Sequence, residues 1–221
     1  MDGRKGLRKK AVALLYRRFQ TPVLVTFGSA DAVRPLLAEL PAEPLLHLHV
    51  RPEILPLVCE RYNVPELKPM MRMRLDPGAF RRVSLEGLTR LSPDDLPSLA
   101  RLYRDGEASG ESPDFFAGEM LENGVYFGLR ETSELIAVAG THLIAPAAGA
   151  AAIGNVYTRR DRRGRGLASA TTSAVITELN ATGFQTVGLS VRQNNATAIR
   201  VYRGLGFREH CPFFEGMAYR R

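Results

Sequence analysis

The chain has 221 residues, 45% of them hydrophobic and 24% charged, which is ordinary for one sizeable folded domain or two small ones and excludes a disordered chain. No apolar run approaches the roughly 20 residues of a membrane-spanning helix, and we expect neither a transmembrane segment nor a signal peptide. The net charge of +7 lies in residues 1–82, which hold 15 Lys and Arg against 8 Asp and Glu, whereas residues 83–221 hold 15 of each.

The basic excess of residues 1–82 admits two interpretations. Clustered positive charge is typical of proteins that bind nucleic acid or another polyanion. Acidic residues are interspersed here and no nucleic-acid-binding signature accompanies them, which favours a solvated charged face. The two cysteines, Cys59 and Cys211, lack metal-ligand spacing, so we expect a reduced, cytoplasmic protein.

The pattern of residues 1–82 is typical of a small βαβαβ unit preceded by a basic amphipathic helix. The predicted elements are a helix (4–19), a strand (22–27), a helix (30–39), a strand (45–50), a helix (53–62) and a strand (69–75). His47 and His49 alternate along the second strand, and we expect no third ligand nearby. Buried or partner-facing histidines are therefore favoured, and no metal site is predicted.

A break near residues 76–93 separates this unit from the rest of the chain. Asp76-Pro77-Gly78 is a turn signal, and Ser92-Pro93 reads as the start of a helix. We therefore expect an N-terminal domain over 1–82 and a second domain over 83–221.

The second domain is predicted to mix helices and strands along its length, so the expected fold class is mixed α/β. In chain order the elements are two helices (94–104, 112–122), a hairpin (125–130, 135–144), a loop (145–152) leading into a strand that ends near Thr158, a helix (166–182), a strand (186–191), a helix (195–205) and two closing strands (207–211, 214–220).

The segment from Val156 to Ser169 joins a strand to a helix through a loop with five arginines and two glycines. Helix N-termini carry unpaired amides and partial positive charge, and glycines let the backbone approach an anion, so this pattern favours a phosphate or pyrophosphate site. The spacing matches neither a Walker A motif nor a dinucleotide-binding motif. The alternatives are a turn with solvated arginines and a loop that contacts nucleic acid.

A second informative segment runs from Asn195 to Phe207. Asn195 is predicted to cap a helix on which Ala198 and Tyr202 share a face. A tyrosine, with a reference pKa of about 10, stays protonated at neutral pH and can donate to a departing thiolate. The alternative is that Tyr202 is an ordinary core residue with a satisfied hydroxyl.

Together, the two segments resemble the GNAT superfamily of acyl-CoA-dependent N-acetyltransferases. The family's pyrophosphate loop, Arg/Gln-x-x-Gly-x-Gly/Ala, is matched by Arg163-Gly164-Arg165-Gly166-Leu167-Ala168. Its second element, Asn-x-x-Ala-x-x-x-Tyr-x-x-x-Gly-Phe, is matched by Asn195, Ala198, Tyr202, Gly206 and Phe207. The resemblance covers roughly residues 83–221 and implies the GNAT acyl-CoA N-acyltransferase fold.

The resemblance also implies a mechanism in which an amine attacks acetyl-CoA directly, without a metal or a cysteine nucleophile. The strands over 151–158 and 186–191 would part, and a bulge near Asn155–Val156 would aim an amide, that of Val156, at the thioester oxygen. Tyr202 would protonate the leaving sulfur. The implied cofactor-binding residues are Val156, Tyr157 and Thr158 with Asn195 for the pantetheine arm, Arg163, Gly164, Arg165, Gly166, Leu167, Ala168 and Ser169 for the pyrophosphate, and Tyr202.

The sequence admits alternatives on four points, namely the general base, the acceptor, the nature of residues 1–82 and the function itself. Glu119, Glu122 and His142 are candidate general bases, with a water relay or no base as alternatives. The acceptor is an amine of a small molecule or peptide, and neither nucleic acid nor a membrane is an expected partner. Residues 1–82 are either a degenerate second copy of the fold, as in glycine N-acyltransferase-like proteins, or a plain accessory domain. The alternative function is a non-catalytic acyl-CoA-binding sensor or scaffold whose basic N-terminal region grips a polyanion.

Overall fold

The computed structural model describes residues 11–17, 20–76, 78–113 and 116–221. These residues form two compact units. Unit 1 comprises the described residues up to Met71 together with Arg192–Asn194 and Cys211–Arg221, and unit 2 comprises Arg72–Val191 and Asn195–His210. The described part of the chain therefore starts in unit 1, continues through unit 2 and finishes in unit 1. The domain boundary expected between residues 82 and 83 stays a prediction.

The secondary structure of the described residues follows the mixed order expected. The strands are β1 (Val12–Tyr16), β2 (Val23–Phe27), β3 (Leu45–Val50), β4 (Tyr62–Asn63), β5 (Lys68–Leu75), β6 (Leu88–Arg90), β7 (Tyr126–Glu131), β8 (Glu134–Ala145), β9 (Ala150–Thr158), β10 (Thr186–Arg192) and β11 (Phe207–Arg220). The helices are α1 (Ala30–Glu39), α2 (Leu55–Cys59), α3 (Leu96–Glu107), α4 (Gly118–Asn123), α5 (Leu167–Ala181) and α6 (Ala196–Gly204). Within the described part of the chain, no helix is both long and apolar enough to cross a membrane.

Unit 1 is a sheet with a helical layer on one face. β2 and β3 run parallel, because α1 connects them, while β1 pairs antiparallel with β2 and β11 pairs antiparallel with β3. Alternate residues of β3, namely Leu46, Leu48 and Val50, are buried in a core that also contains Val33 of α1. The alternation of a strand therefore places His47 and His49 on the opposite face.

Unit 2 is built on a mixed sheet, which confirms the mixed α/β fold class. β6, β7, β8 and β9 pair in that order with antiparallel neighbours, and β10 pairs parallel with β9. α5 makes the connection between the two parallel strands. Its residues Val175, Ile176 and Leu179 are fully buried, because α5 packs against β7, β8 and β9. This packing fixes the start of α5 beside the end of β9.

The structure corrects the prediction of a helix over 4–19. Residues 12–16 form β1, and residues 4–10, 18 and 19 lie outside the described residues. Pairing with β2 turns Ala13 and Leu15 inward, and Leu15 packs against the core of unit 1. The apolar residues of this segment fit either period, and the pairing with β2 decides in favour of a strand.

Other boundaries also differ from the prediction. The closing segment is the single 14-residue strand β11 rather than two strands, since the φ of Pro212 is compatible with extended backbone. The helices predicted over 53–62 and 112–122 are the shorter α2 and α4, and the strands β4 and β6 were not predicted. Such short strands carry too few residues to show a period of two.

The expectation that no third ligand lies near His47 and His49 is also wrong. Glu215 lies opposite His49 in the register of β3 with β11, and its Oε1 atom is 3.2 Å from Nε2 of His47. Sequence spacing could not reveal this neighbour, because β11 comes from the far end of the chain.

Candidate active site

The parallel strands β9 and β10 pair over only part of their length. The pairing joins Ala150–Ile153 to Thr186–Leu189, but β9 continues to Thr158 and β10 continues past Leu189. Beyond Ile153, β9 pairs with β8 on its other side. The backbone groups of residues 155–158 that face β10 have no strand partner among the described residues, so an extended ligand can lie along them. Val156, Tyr157 and Thr158 all belong to this stretch.

A bulge interrupts β9 where the strands part. The register with β8 passes from Gly154 opposite Gly140 to Tyr157 opposite Val138, so that two residues of β9 face one residue of β8. Asn155 has a φ of +54°, a left-handed conformation that asparagine tolerates better than most residues. A bulge re-aims the backbone groups next to it. Its place, Asn155–Val156, is where the resemblance implied one.

Three buried hydrogen bonds hold this bulge. The Tyr103 hydroxyl donates to the carbonyl oxygen of Asn155 at 2.9 Å, and Asn155 Nδ2 donates to the Tyr126 oxygen at 2.7 Å. Tyr126 donates in turn to the carbonyl oxygen of Thr141 at 3.0 Å. Burial raises the pKa of Tyr126 to about 12 and the pKa of Tyr103 well above its usual value, so both phenols stay protonated donors. Sequence reasoning missed both tyrosines, since no motif marks them.

The loop after β9 enters α5 through two left-handed glycines. Gly164 has a φ of +78° and Gly166 a φ of +75°, and a Cβ atom at either would meet open space. Backbone conformation rather than crowding therefore favours glycine at both positions. α5 begins at Leu167, so the amides of Leu167, Ala168 and Ser169 have no partner within the helix and share its positive end. This arrangement suits a phosphate group.

Four of the five arginines in this loop form ion pairs with carboxylates. The pairs are Arg159 with Asp161 and Glu134, Arg160 and Arg163 with Glu111, and Arg162 with Glu131 and Asp161. Arg165 is exposed and takes part in none of these pairs. The loop therefore offers less uncompensated positive charge than its composition indicates. The amides at the start of α5 and the Arg165 side chain are the groups best placed to receive an anion.

Two carboxylates from the end of α3 and the turn after it anchor the loop. Asp105 Oδ2 accepts hydrogen bonds from the Arg160 amide at 3.0 Å and from the Tyr157 hydroxyl at 2.8 Å. The hydrogen bond from the Arg160 amide is the main cause that lowers the pKa of Asp105. Glu111 accepts from Arg163 and from Ser109, each at 2.9 Å. These two bonds lower the pKa of Glu111 to about 2, so its carboxylate is ionised at neutral pH. No local sequence pattern indicates either contact, because both join distant segments.

The second motif forms a capped helix, as predicted. Asn195 Oδ1 accepts a hydrogen bond from the Ala198 amide at 3.0 Å, at the start of α6. Tyr202 is buried, and its ring lies edge-on to Phe207 with the centroids 6.0 Å apart. Burial raises the pKa of Tyr202 to about 12, which keeps its hydroxyl protonated at neutral pH. The side chain therefore has both the packing of a core residue and the protonation state of a general acid.

The three candidate bases lie on elements that border the bulge. Glu119 and Glu122 are exposed on α4, whose Met120 sulfur lies 3.5 Å from Asn155 Nδ2. His142 is exposed on β8, at a second shift in the register between β8 and β9. It lies close to Gly154, because a Cβ atom added to Gly154 would be 2.7 Å from the Cβ atom of His142.

Comparison with known proteins begins with a family match that spans the parted strands, the loop and the capped helix. Residues 94–207, more than half of the chain, match the model of the acetyltransferase (GNAT) family. The [ribosomal protein bS18]-alanine N-acetyltransferase of Escherichia coli K12 is 30% identical over 122 residues, which cover 55% of this chain and 80% of that protein. The protein of the same name from Salmonella typhimurium is 31% identical over 119 residues, 54% of this chain and 78% of that protein.

Solved structures extend the likeness of fold beyond the family match. A GNAT-family protein from Novosphingobium aromaticivorans is 25% identical with a TM-score of 0.65, over 89% of this chain and 83% of that chain. A Drosophila protein aligns with a TM-score of 0.75 over 98% of this chain and 77% of that chain, at 14% identity. At that identity, the second likeness concerns the fold alone.

Proposed function

Because the chain belongs to the GNAT family of acetyltransferases, we propose that it moves an acetyl group from acetyl-CoA to a primary amine by direct attack in a ternary complex. The observation that carries this proposal is the parting of β9 and β10 at a bulge, followed by a helix whose first amides suit a phosphate. The N-acetyltransferase relatives favour an enzyme over a non-catalytic acyl-CoA sensor. We assign catalysis to residues 83–221, an accessory role to residues 1–82, and a cytoplasmic location.

The residues of unit 2 fit the parts of acetyl-CoA as a co-substrate. The strand-like pantetheine arm adds along Val156–Thr158 to the side of β9 that β8 does not cover. The Nδ2 group of Asn195 contacts it, because the capping bond uses only Oδ1. The pyrophosphate lies against the loop and the first turn of α5. The Arg163 amide already donates to the carbonyl oxygen of Arg160. The ligands are therefore the Arg165 guanidinium, which adds a charge-assisted contact, and the backbone amides of Gly164, Arg165, Gly166, Leu167, Ala168 and Ser169.

The chemistry needs one hydrogen-bond donor for the oxyanion and one acid for the leaving group. Attack by the amine forms the N–C bond and places negative charge on the thioester oxygen, which the Val156 amide stabilises by roughly 3–4 kcal/mol. The C–S bond then breaks, and the Tyr202 hydroxyl supplies the proton with which coenzyme A leaves as a thiol. The proton of the amine passes to water or to one of Glu119, Glu122 and His142. Neither Cys59 nor Cys211 is required.

The acceptor that we propose to test first is the N-terminal amine of a peptide. The Escherichia coli relative is named for an alanine of a ribosomal protein, and a peptide amine is one of the two acceptor classes that the sequence left open. The other class is a small-molecule amine, such as an amino acid or a polyamine.

A thiol-release assay with acetyl-CoA tests the proposed function. A peptide that begins with alanine is compared with the same peptide carrying a blocked N-terminus, and amino acids and polyamines form a parallel panel. We expect thiol release that requires a free amine, together with a product heavier by one acetyl group. Release that no amine accelerates above hydrolysis of acetyl-CoA would contradict the proposal.

A further inference from the structure

Two histidines and one carboxylate converge on one face of the sheet in unit 1. His47 and His49 are two residues apart on β3, and Glu215 of β11 lies directly opposite His49. Residues at i and i+2 of a strand share a face with their cross-strand neighbours, whose Cβ atoms lie about 4.5–5.5 Å away. The other face of β3 belongs to the core of the unit. The backbone itself therefore brings these three side chains together.

The distances within this cluster suit the coordination of a metal ion. Potential ligand atoms of His47, His49 and Glu215 all lie within 4.8 Å of one another, and Nε2 of His47 is 3.2 Å from Oε1 of Glu215. In a tetrahedral site with bonds of about 2.0–2.2 Å, two ligand atoms are roughly 3.3–3.6 Å apart. One pair is already close to that separation, and the ligand atom of His49 lies within 4.8 Å of both.

The surroundings of the cluster restrain the imidazoles while leaving them within reach of solvent. The His49 ring stacks on Phe213 with the centroids 5.7 Å apart, and it lies edge-on to His47 at 5.0 Å. The His47 side chain is 31% exposed and the Glu215 side chain 11% exposed. The ammonium group of Lys68 also acts on Glu215 and competes with a bound cation for that carboxylate. Restrained rings favour metal binding, because less freedom is lost when the ion arrives.

We propose that His47, His49 and Glu215 bind one divalent transition-metal ion of the zinc class, which ties β3 to β11. Imidazole nitrogens suit Zn²⁺ and its neighbours in the first transition row, whereas Mg²⁺ and Ca²⁺ prefer oxygen ligands throughout. Three protein ligands leave a fourth position for water. The site lies within unit 1 and does not depend on the proposed acetyl transfer.

Metal titration of the full chain without a histidine tag tests this site. The protein is first stripped with a chelator and then titrated calorimetrically with Zn²⁺, and the absorption spectrum of bound Co²⁺ reports whether the ligands are nitrogen and oxygen rather than thiolate. We expect one ion per chain. His49→Ala and Glu215→Gln should each weaken binding by more than about tenfold, whereas His210→Ala, at an exposed histidine outside the cluster, should keep the affinity of the original chain.

Three results would overturn the proposal: no stoichiometric binding of Zn²⁺, unchanged affinity in the cluster variants, or an equal loss in His210→Ala. A second readout avoids the variants, since loss of the His47–Glu215 pair can also destabilise unit 1. Zn²⁺ should raise the unfolding temperature of the original chain, and Mg²⁺ at the same concentration should not. An unfolding temperature that Zn²⁺ leaves unchanged contradicts the site, whatever the outcome of the acetyltransferase assay.

Discussion

Asn155 combines a left-handed backbone with hydrogen bonds to two buried phenols. Its carbonyl oxygen accepts from Tyr103 and its side chain donates to Tyr126. The residue is only 7% exposed, so removing one partner leaves the other as a buried polar group without its hydrogen bond. Strained conformations of this kind persist where the surroundings enforce them, and they cluster at functional sites. The shape of β9 at the proposed oxyanion donor therefore depends on this residue.

Replacing Asn155 tests both contributions to the bulge. Alanine is disfavoured in the left-handed region by about 1–2 kcal/mol and leaves the Tyr126 oxygen without its donor. We expect Asn155→Ala to lower the free energy of unfolding by about 2–4 kcal/mol, as measured by urea denaturation. Asn155→Gly should cost less, because glycine adopts a positive φ without strain. An equal loss in the two variants would contradict the role given to the backbone conformation.

Tyr202 is the residue whose chemistry can be removed with the least structural change. Tyr202→Phe deletes only the hydroxyl, and we expect it to lower kcat about 10²–10⁴-fold in the thiol-release assay with a smaller effect on the KM for acetyl-CoA. Tyr219→Phe, at an exposed tyrosine of unit 1, should keep full turnover. Turnover by Tyr202→Phe that equals that of the original chain would remove the acid role.

The pH dependence of turnover follows from the pKa of the same side chain. Burial raises the pKa of Tyr202 to about 12, and a raised pKa favours the protonated form that donates. The Tyr202 hydroxyl can therefore donate a proton throughout the neutral pH range. This ability is lost only as the pH rises through the raised pKa. A pH–rate profile should show no alkaline decline from Tyr202 near neutral pH, so a decline that disappears in Tyr202→Phe would contradict this assignment.

At the scale of elements, the loop before α5 is held by Glu111 in the turn after α3. The carboxylate binds Arg160 and Arg163 at 3.0 and 2.9 Å, where it occupies guanidinium groups that a phosphate could otherwise use. It also keeps those arginines ordered. We expect the competition with phosphate to outweigh this ordering of the arginines, because both ion pairs are largely exposed and contribute little to stability.

Glu111→Gln should therefore tighten the binding of coenzyme A. Exposed ion pairs are worth about 0.2–1 kcal/mol, so the dissociation constant should fall by up to about fivefold, with a steeper dependence on salt. Glu107→Gln is the matched control, since it removes the same charge from an exposed carboxylate at the end of α3. Calorimetric titration measures both variants. Weaker binding by Glu111→Gln than by Glu107→Gln would indicate that Glu111 orients the arginines for the ligand instead of competing with it.

Elements specified by local patterns could be predicted from the sequence. The cap at Asn195 and the glycines at 164 and 166 each set a helix start through interactions within a few residues, and both helices form where expected. β1 was misjudged, because its apolar residues fit a helical stripe as well as an alternating strand, and pairing with β2 decided between them. Asp105 and Glu111 were missed for the same reason, since the groups they bind lie far along the chain.

At the scale of the whole molecule, the chain order conceals which segments share a unit. The last strand, β11, passes from unit 2 into unit 1 at Cys211, and this return places Glu215 beside His47. No local sequence pattern predicts that β11 belongs to unit 1, whereas the motifs of the candidate active site lie together in unit 2. Whether residues 1–82 are a degenerate copy of the fold stays a prediction.

Binding of acetyl-CoA at the start of α5 can be tested by calorimetric titration of a matched pair of glycine variants. Gly166 and Gly183 lie at opposite ends of α5, with φ values of +75° and +89° and open space around a Cβ atom at either. Alanine should therefore strain both positions alike, by about 1–2 kcal/mol. We expect micromolar binding of acetyl-CoA that Gly166→Ala weakens by more than about tenfold and Gly183→Ala leaves unchanged. Equal affinity in the two variants, or no binding at millimolar acetyl-CoA, would contradict it.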